Sequence, residues 1–519
     1  MKKSFVLLLA LVLLLSGTAC YVQGELLKEK DQVHYTEKVF YGDKSVVDGV
    51  TIDANVSYDY HLFWNTVYEI GSAPKQETVY TFYAAAYQDH KYENAGGYVS
   101  FNIECTDISS YFYGKDSYAS QGLQVALEEL FDSTTPGTEK ESTVYLKDYV
   151  DYYTFMPEIC FPAYSYEEYL PYMENAYANY ESLVGDIESL EEFGTTKEDQ
   201  EQLEKLKAYL KEVDFYREFF KIPVIEKEVY TIRVGKSEDG VLTGIGTSSM
   251  SGGSSTGDMG IPDAPQVEGA DSFNFYTHTV MDQGDCYFTF DPYTFNGNPV
   301  DTSQIPGGYG IYHFTYDEKS RKSDYESMKM VYALDTNRHI YSIEMDEGKK
   351  NILLVTTDDT CYYMSIIDRE TMTLVDEFVL GSTDTYLSVW CFEDYIVLNS
   401  ENIQVYELGE NNRYTCALST NCQEIRAKIA EVSPEMSFLN WDTAFDWNGE
   451  TLLISNSLIY VDEYGRGDYT CDFYVAAVND MGLLYYGEYA SSLRSAYSGF
   501  YDTCRFNPDM KNPIQISWN

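Results

Sequence analysis

Basic residues are what this sequence has least of for its size. Its 519 residues include 35 Lys or Arg against 84 Asp or Glu, a formal charge of −49. A surface of that sign repels phosphate backbones and anionic headgroups, which excludes nucleic acid and an anionic bilayer surface as partners. Long apolar runs are missing as well. Beyond Leu15 no segment reaches the roughly 18 apolar residues of a membrane span, so the remainder of the chain is expected to be soluble. Metal and cofactor signatures are equally sparse. The six histidines, His34, His61, His90, His278, His313 and His339, form no H-E-x-x-H and no pair at ligand spacing. The ten cysteines form no C-x-x-C, so no zinc site is expected. No D-x-[DN]-x-[DN]-G calcium loop, no G-x-x-x-x-G-K-[ST] and no strand-coupled G-x-G-x-x-G occurs, and no cofactor is expected.

Nucleophilic chemistry has one formal match. Gly253-Ser254-Ser255-Thr256-Gly257 fits G-x-S-x-G, but that motif works only where a strand turns sharply into a helix, lifting the serine towards an oxyanion hole. Here it lies in Gly/Ser-rich sequence with no flanking strand or helix pattern, and it is read as coincidence. Carboxylate pairs for glycoside hydrolysis cannot be picked out, because 84 acids guarantee chance neighbours. No catalytic residue is assigned.

What is present begins at the N-terminus. Met1-Lys2-Lys3 is basic, Phe5 to Leu15 is apolar, and Ser16-Gly17-Thr18-Ala19 is small, the order of a secretory signal over residues 1–20. Two routes fit. Ala19-Cys20 reads as a lipoprotein junction with Cys20 lipidated, although Gly17 stands where such junctions favour Leu. Cleavage after Gly17-Thr18-Ala19 would instead release the protein. The chain is therefore expected to be exported, either secreted or held on the outer face of the cytoplasmic membrane by an N-terminal lipid alone.

Tyrosine is abundant, 51 residues beside 26 Phe, which suits strands that bury a ring and keep its hydroxyl wet. Alternating runs at Val79–Tyr83, Tyr98–Ile103, Phe273–Tyr276 and Tyr309–Phe314 are bounded by Gly, Asp, Asn or Pro. In the last third, three strand-turn-strand-turn-strand units (from Ile352, Tyr395 and Leu452) recur at roughly 40 to 55 residues, the period of propeller blades. The expected fold is mainly β: a propeller-like ring of about six to eight blades, with tandem β-sandwiches as the alternative. Its sections are a β-rich N-terminal part (21–164), an inserted helical hairpin (165–221), and a β-rich remainder (222–519) with a flexible Gly/Ser loop at 244–260. Cys286, Cys361 and Cys471 lie in apolar strand runs and are expected to be buried thiols. One or two bridges, Cys416 to Cys422 for example, stay open.

The hairpin is read from Ser165-Tyr166-Glu167-Glu168 as a capping box. The stripe Tyr169, Met173, Ala176, Tyr180, Leu183, Ile187 and Leu190 follows, then Gly194 as a stop and Thr195-Thr196 as the next cap. Leu203, Leu206, Leu210, Val213 and Phe220 continue the stripe to Pro223. It is expected to pack on itself, with docking of a partner as the alternative.

One surface candidate remains. Asn440-Trp441-Asp442-Thr443-Ala444-Phe445-Asp446-Trp447-Asn448-Gly449 places Trp441 and Trp447 among Asp442 and Asp446, where indoles could stack on a sugar ring and carboxylates accept its hydroxyls. The competing reading is a hairpin turn at Asn448-Gly449 with a packing Trp before it.

Gly42-Asp43-Lys44-Ser45-Val46-Val47-Asp48-Gly49-Val50, Tyr60-His61-Leu62-Phe63-Trp64-Asn65-Thr66 and Gly307-Gly308-Tyr309-Gly310-Ile311-Tyr312 resemble a group of uncharacterised exported, lipoprotein-type proteins of Gram-positive gut anaerobes. The resemblance covers the chain before the hairpin and most of it after the Gly/Ser loop. It implies an exported, propeller-like protein and carries over no site residues. The function expected first is a binding module for a glycan, peptide or envelope protein. The alternatives are a carbohydrate-active hydrolase or lyase, and an envelope sensor whose hairpin contacts a membrane signalling partner.

Overall fold

The structure is a computed structural model. It describes residues 15–18, 34–58, 62–82, 97–103, 121–162, 180–249, 255–257, 267–335, 337–346, 348–358, 360–409, 412–433, 438–439, 443–461, 467–492, 504–506 and 513–518. The fold is mainly β and divides into two compact units. A central unit comprises Gly96–Ala163 and Tyr169–Leu380. A terminal unit comprises Met1–Ala95, Tyr164–Glu168 and Gly381–Asn519. The first β-rich section, 21–164, contributes to both units.

Two sheets of the central unit are four-stranded antiparallel meanders in chain order, the blade pattern. One runs Phe273–Asp282, Asp285–Thr294, Gly310–Asp317 and Lys322–Ala333; the next runs His339–Met345, Asn351–Thr357, Cys361–Asp368 and Thr373–Ser382. Their third hairpins close in the same way. Asp317 Oδ1 accepts the Ser320 N–H at 2.6 Å, and the Arg321 N–H reaches the Asp317 carbonyl at 2.8 Å with Arg321 at φ 53. Asp368 Oδ1 accepts the Thr371 N–H at 2.8 Å, and Met372, at φ 51, repeats the closing bond at 2.8 Å. A short carboxylate that caps its own turn is why Asp is favoured there, and part of the acidic excess serves this purpose.

The two sheets are tied by an ion network. Arg369 donates to Asp282 Oδ2 at 2.6 Å and to Asp285 Oδ2 at 3.0 Å. The other Asp285 oxygen meets His313 Nε2 at 2.8 Å, which gives His313 a structural role in this network.

A third sheet orders Ser255–Gly257, Leu242–Ser249, Val229–Lys236 and Thr138–Tyr145. Within the flexible loop expected at 244–260, the described residues 244–249 and 255–257 are strand instead. Residues 244–249 form a paired strand whose Ile245 is fully buried. Glycine-rich composition misled because Gly244 sits opposite Gly235 and Gly246 opposite Arg233, where backbone pairing needs no side chain. Ser255 lies inside the short partner strand, opposite Ser248, rather than at a strand-to-helix turn.

Helix α1 (Gln121–Asp132), which the sequence reading missed, buries Leu123, Ala126, Leu127 and Leu130 in the core of this unit. The hairpin is present as α2 (Tyr180–Phe193) and α3 (Lys197–Phe219). The Gly194 N–H closes on the Leu190 carbonyl at 2.9 Å. Thr196 and Asp199 exchange a capping box of 3.0 and 2.8 Å. The start expected at Ser165 lies outside the described residues.

Leu183, Ile187, Leu206 and Val213 close on one another and on Met156 of the Phe155–Cys160 strand. The hairpin does not pack only on itself, and the reason is the end of α3. Tyr216, Phe219 and Phe220 enter the β core, with the Phe220 ring 4.8 Å from Phe290, 5.3 Å from Phe101 and 5.4 Å from Tyr312.

That junction holds a carboxyl. Glu212 of α3 accepts the Ser323 hydroxyl, and burial pushes its pKa from 4.5 up to about 7. Because the folded value exceeds the unfolded one, the native state keeps a proton that the unfolded chain has lost between those pH values. Stability therefore falls as pH rises through that window, by up to about 3 kcal/mol. Glu212→Gln is expected to remove this slope, read as the difference in urea midpoint between variant and parent from pH 5 to pH 8. Parallel pH profiles would refute it.

In the terminal unit, Ser388–Cys391, Tyr395–Asn399, Asn402–Leu408 and Tyr414–Asn421 form a further meander. Ala444–Trp447, Leu452–Val461, Gly467–Asn479 and Gly482–Ser491 form another, completed at its edge by the first described strand, Tyr35–Gly42. Each of the three units expected from the sequence thus acquires a preceding strand. The Tyr35–Gly42 strand is locked in place by Glu37, whose Oε1 accepts the Tyr485 and Tyr489 hydroxyls at 3.0 and 3.1 Å while Lys44 pairs with its other oxygen. Gly42 is required at the end of this strand: it has φ 78, and a Cβ there would lie 1.8 Å from the Leu484 carbonyl oxygen.

Helix α4 (Cys422–Val432) was also missed. It corrects the Cys416–Cys422 bridge: Cys422 faces the core beside Ile425 and Ile429, Cys416 is exposed, and both are free. Cys286 and Cys471 are buried as expected, whereas Cys361 is only half-buried. No described helix is long and apolar enough to cross a membrane.

Candidate ligand-binding site

Trp441, Asp442 and Cys20 lie outside the described residues. Asp446 and Trp447 are engaged within the protein. The Trp447 indole N–H donates to Glu407 Oε1 at 2.6 Å, and its ring packs on the core of the terminal unit. Asp446 accepts the Trp518 N–H at 2.6 Å and the Trp447 N–H at 2.9 Å. Asn448 Oδ1 accepts from the Glu450 and Thr451 N–H groups and Gly449 has φ 91, the turn expected after a packing Trp.

A cleft in the central unit was not anticipated. It begins with Glu228, the residue before the Val229–Lys236 strand. Its backbone bridges Asp271, just ahead of the Phe273–Asp282 strand. The residue is 2% exposed. Its carboxyl accepts the Tyr153 hydroxyl, the Tyr230 hydroxyl at 2.8 Å and the Phe273 N–H at 3.3 Å. Tyr153 is itself set by a 4.0 Å stack on Phe273. Burial raises the Glu228 pKa; the Tyr153, Tyr230 and Phe273 donors oppose the rise, and the neighbouring Asp271 charge adds to it.

Asp271 behaves oppositely. Burial would raise it, but the Asn298 amide, the Asn296 N–H, Thr294 and the Ser272 N–H together hold it below the usual range. Its oxygens are spent on the loop after Thr294, with Asn298 Nδ2 at 2.6 Å and the Asn296 N–H at 2.9 Å.

Above Glu228 opens a cavity of about 200 Å³. Tyr230, Phe273, Tyr293 and Phe295 line it together with Ser249 and Asn274. Phe295 is 69% exposed although its N–H is fixed to the Ser272 carbonyl at 2.9 Å. Tyr276, 54% exposed, stacks on Tyr293 at 4.8 Å with the planes 17° apart. Burial and the Tyr276 neighbour push the Tyr293 hydroxyl up to about 12, so it stays a donor at physiological pH. Glu228 is the one carboxyl among the described lining residues, and no Lys, Arg or His is among them. Clefts that enclose drug-sized ligands run to roughly 300–1,000 Å³. This one suits a single ring or the projecting group of a larger molecule.

No described group of His, Cys, Asp and Glu could hold a metal ion. No family model matches the chain, and no curated protein matches it. Among solved structures, a protein from Lactobacillus plantarum is 8% identical, with 48% of this chain and 79% of that one covered at a TM-score of 0.22. The Cps50 (Swd1) β-propeller domain of Myceliophteria thermophila is 11% identical, with 50% and 80% covered at 0.21. The Nup133 β-propeller domain of Vanderwaltozyma polyspora is 11% identical, with 43% and 70% covered at 0.21. Likeness this faint says nothing of function; strand order and register alone define the meanders described above.

Proposed function

We propose that the protein is an exported binding module. Its cleft around Glu228 receives one ring or side group of an envelope or environmental ligand, a glycan in the first instance. The observation that carries this reading is the pairing of aromatic walls with a fixed hydrogen-bonding floor. Tyr293 is backed by Tyr276, Phe295 stands at the rim, and Glu228 and Tyr230 are already oriented by their mutual bond. Aromatic faces bind the apolar face of a sugar, and pre-set polar groups fix its orientation at little entropic cost. Export is supported by the basic, apolar and small residues of Met1 to Cys20.

Binding without turnover is favoured over hydrolysis. Glycoside hydrolysis uses two carboxyl groups flanking one bond, and Asp271 spends its oxygens on its own loop. The test is a survey of envelope and dietary glycans with residues 21–519, followed by product analysis after long incubation. Saturable binding with the ligand recovered intact is expected. Released oligosaccharide would establish an enzyme instead.

A further inference from the structure

The floor of the cleft poses an electrostatic problem. Glu228 is a buried carboxyl, and among the described residues it has no ion-pair partner. A buried carboxylate without a countercharge is unfavourable and is resolved by protonation or by a cation. Its nearest basic neighbour in sequence, Lys227, sends its ammonium to the Glu268 carbonyl at 3.1 Å. The donors it does have, Tyr153, Tyr230 and the Phe273 N–H, are neutral. They occupy three of the roughly four acceptor positions of a carboxylate. The walls carry the complementary feature: four of the described lining residues are aromatic, and ring faces attract cations most strongly where water is excluded.

We propose that this cleft recognises an organic ammonium group, whose charge supplies the partner that Glu228 lacks within the protein. The inference rests on the reading of the cleft as a ligand site and names what it selects. The shared chemistry is a protonated or quaternary amine set against Glu228 and enclosed by Tyr230, Tyr293 and Phe295. A formal charge of −49 raises the local concentration of such ligands before any contact forms. Ammonium groups of this size occur in amino sugars, choline head groups and lysine side chains.

Calorimetric titration of the purified protein with glucosamine, choline and n-butylamine, each against its uncharged counterpart (glucose, 3,3-dimethylbutan-1-ol, butan-1-ol), distinguishes these sources. At least one amine is expected to bind about tenfold or more tightly than its counterpart. Glu228→Gln is expected to remove that preference while leaving the thermal midpoint at or above that of the parent. Phe295→Ala, at an exposed position, is expected to weaken the amine without unfolding the protein. Equal binding of amines and counterparts, or a preference that survives Glu228→Gln, would overturn the inference and leave the binding-module reading standing. No binding by any of the six probes would overturn it as well. If glycans also fail to bind, the cleft reading falls with it.

Discussion

Deleting residues 165–221 is expected to unfold the central unit rather than release an intact β-domain with its hairpin removed. The segment carries Tyr216, Phe219 and Phe220, and their rings complete the core formed by Phe101, Phe288, Phe290 and Tyr312. Phe220 and Tyr216 are fully buried. Loss of one such aromatic ring costs about 3–5 kcal/mol, and domains have only about 5–15 kcal/mol in total. The milder variant Phe220→Ala is therefore expected to lower stability by about 4 kcal/mol, measured as a shift in urea midpoint with an unchanged slope. A deletion variant that keeps the parent's near-ultraviolet signal and midpoint would show that the hairpin is an appendage. In that case the sensor reading, with α2 and α3 free to engage a partner, would recover its appeal.

Arg369→Ala is expected to have an effect of similar size through a different cause. The guanidinium is 15% exposed and lies between Asp282, 13% exposed, and Asp285, with the Tyr287 ring 5.8 Å away. Removing it leaves two partly buried carboxylates at the tip of one hairpin, Asp282 with only the longer Lys349 pair at 3.7 Å and Asp285 with only His313 at 2.8 Å. Breaking a buried pair from one side costs about 3–5 kcal/mol, because the remaining charge keeps its desolvation penalty. The double variant Arg369→Ala/Asp282→Asn should be less destabilised than Arg369→Ala alone. Additive losses would mean that the two residues act independently.

The sequence displayed those features whose cause is local. Gly194 and the Thr196/Asp199 box sit at the turn of the hairpin because a helix end must satisfy its own backbone groups, and such signals survive without tertiary context. The strand units beginning near Ile352, Tyr395 and Leu452 were visible for the same reason. The strands preceding them were not. Ser388–Cys391 is four residues long and half-buried throughout, so it shows no alternation. Helix α4 follows directly on the Tyr414–Asn421 strand with no loop to mark its start, and its buried side is Cys422, Ile425 and Ile429. Gly244 and Gly246 read as loop until pairing, with Gly235 for the first and with Arg233 and Gly257 for the second, makes them strand.

The cleft was invisible for a further reason. Glu228, Ser249, Phe273 and Tyr293 come from separate strands or their edges, and nothing in the spacing marks Glu228 among 84 acids. The sole local hint was the cluster of aromatic residues at Phe273–Tyr276, which the sequence reading took only as a strand. The Trp447 patch drew attention by composition, but the Trp447 indole and the Asp446 carboxyl turn out to be engaged with Glu407 and the Trp518 backbone.

The most direct test of the cleft as the ligand site is a side-by-side affinity measurement of Tyr293→Ala and Trp447→Ala against the parent, using whichever glycan or amine binds best. The account predicts that Tyr293→Ala weakens binding about tenfold or more and that Trp447→Ala leaves affinity unchanged at a temperature where both variants are folded. Loss of binding in Trp447→Ala with full affinity in Tyr293→Ala would contradict it and move the site to the terminal unit.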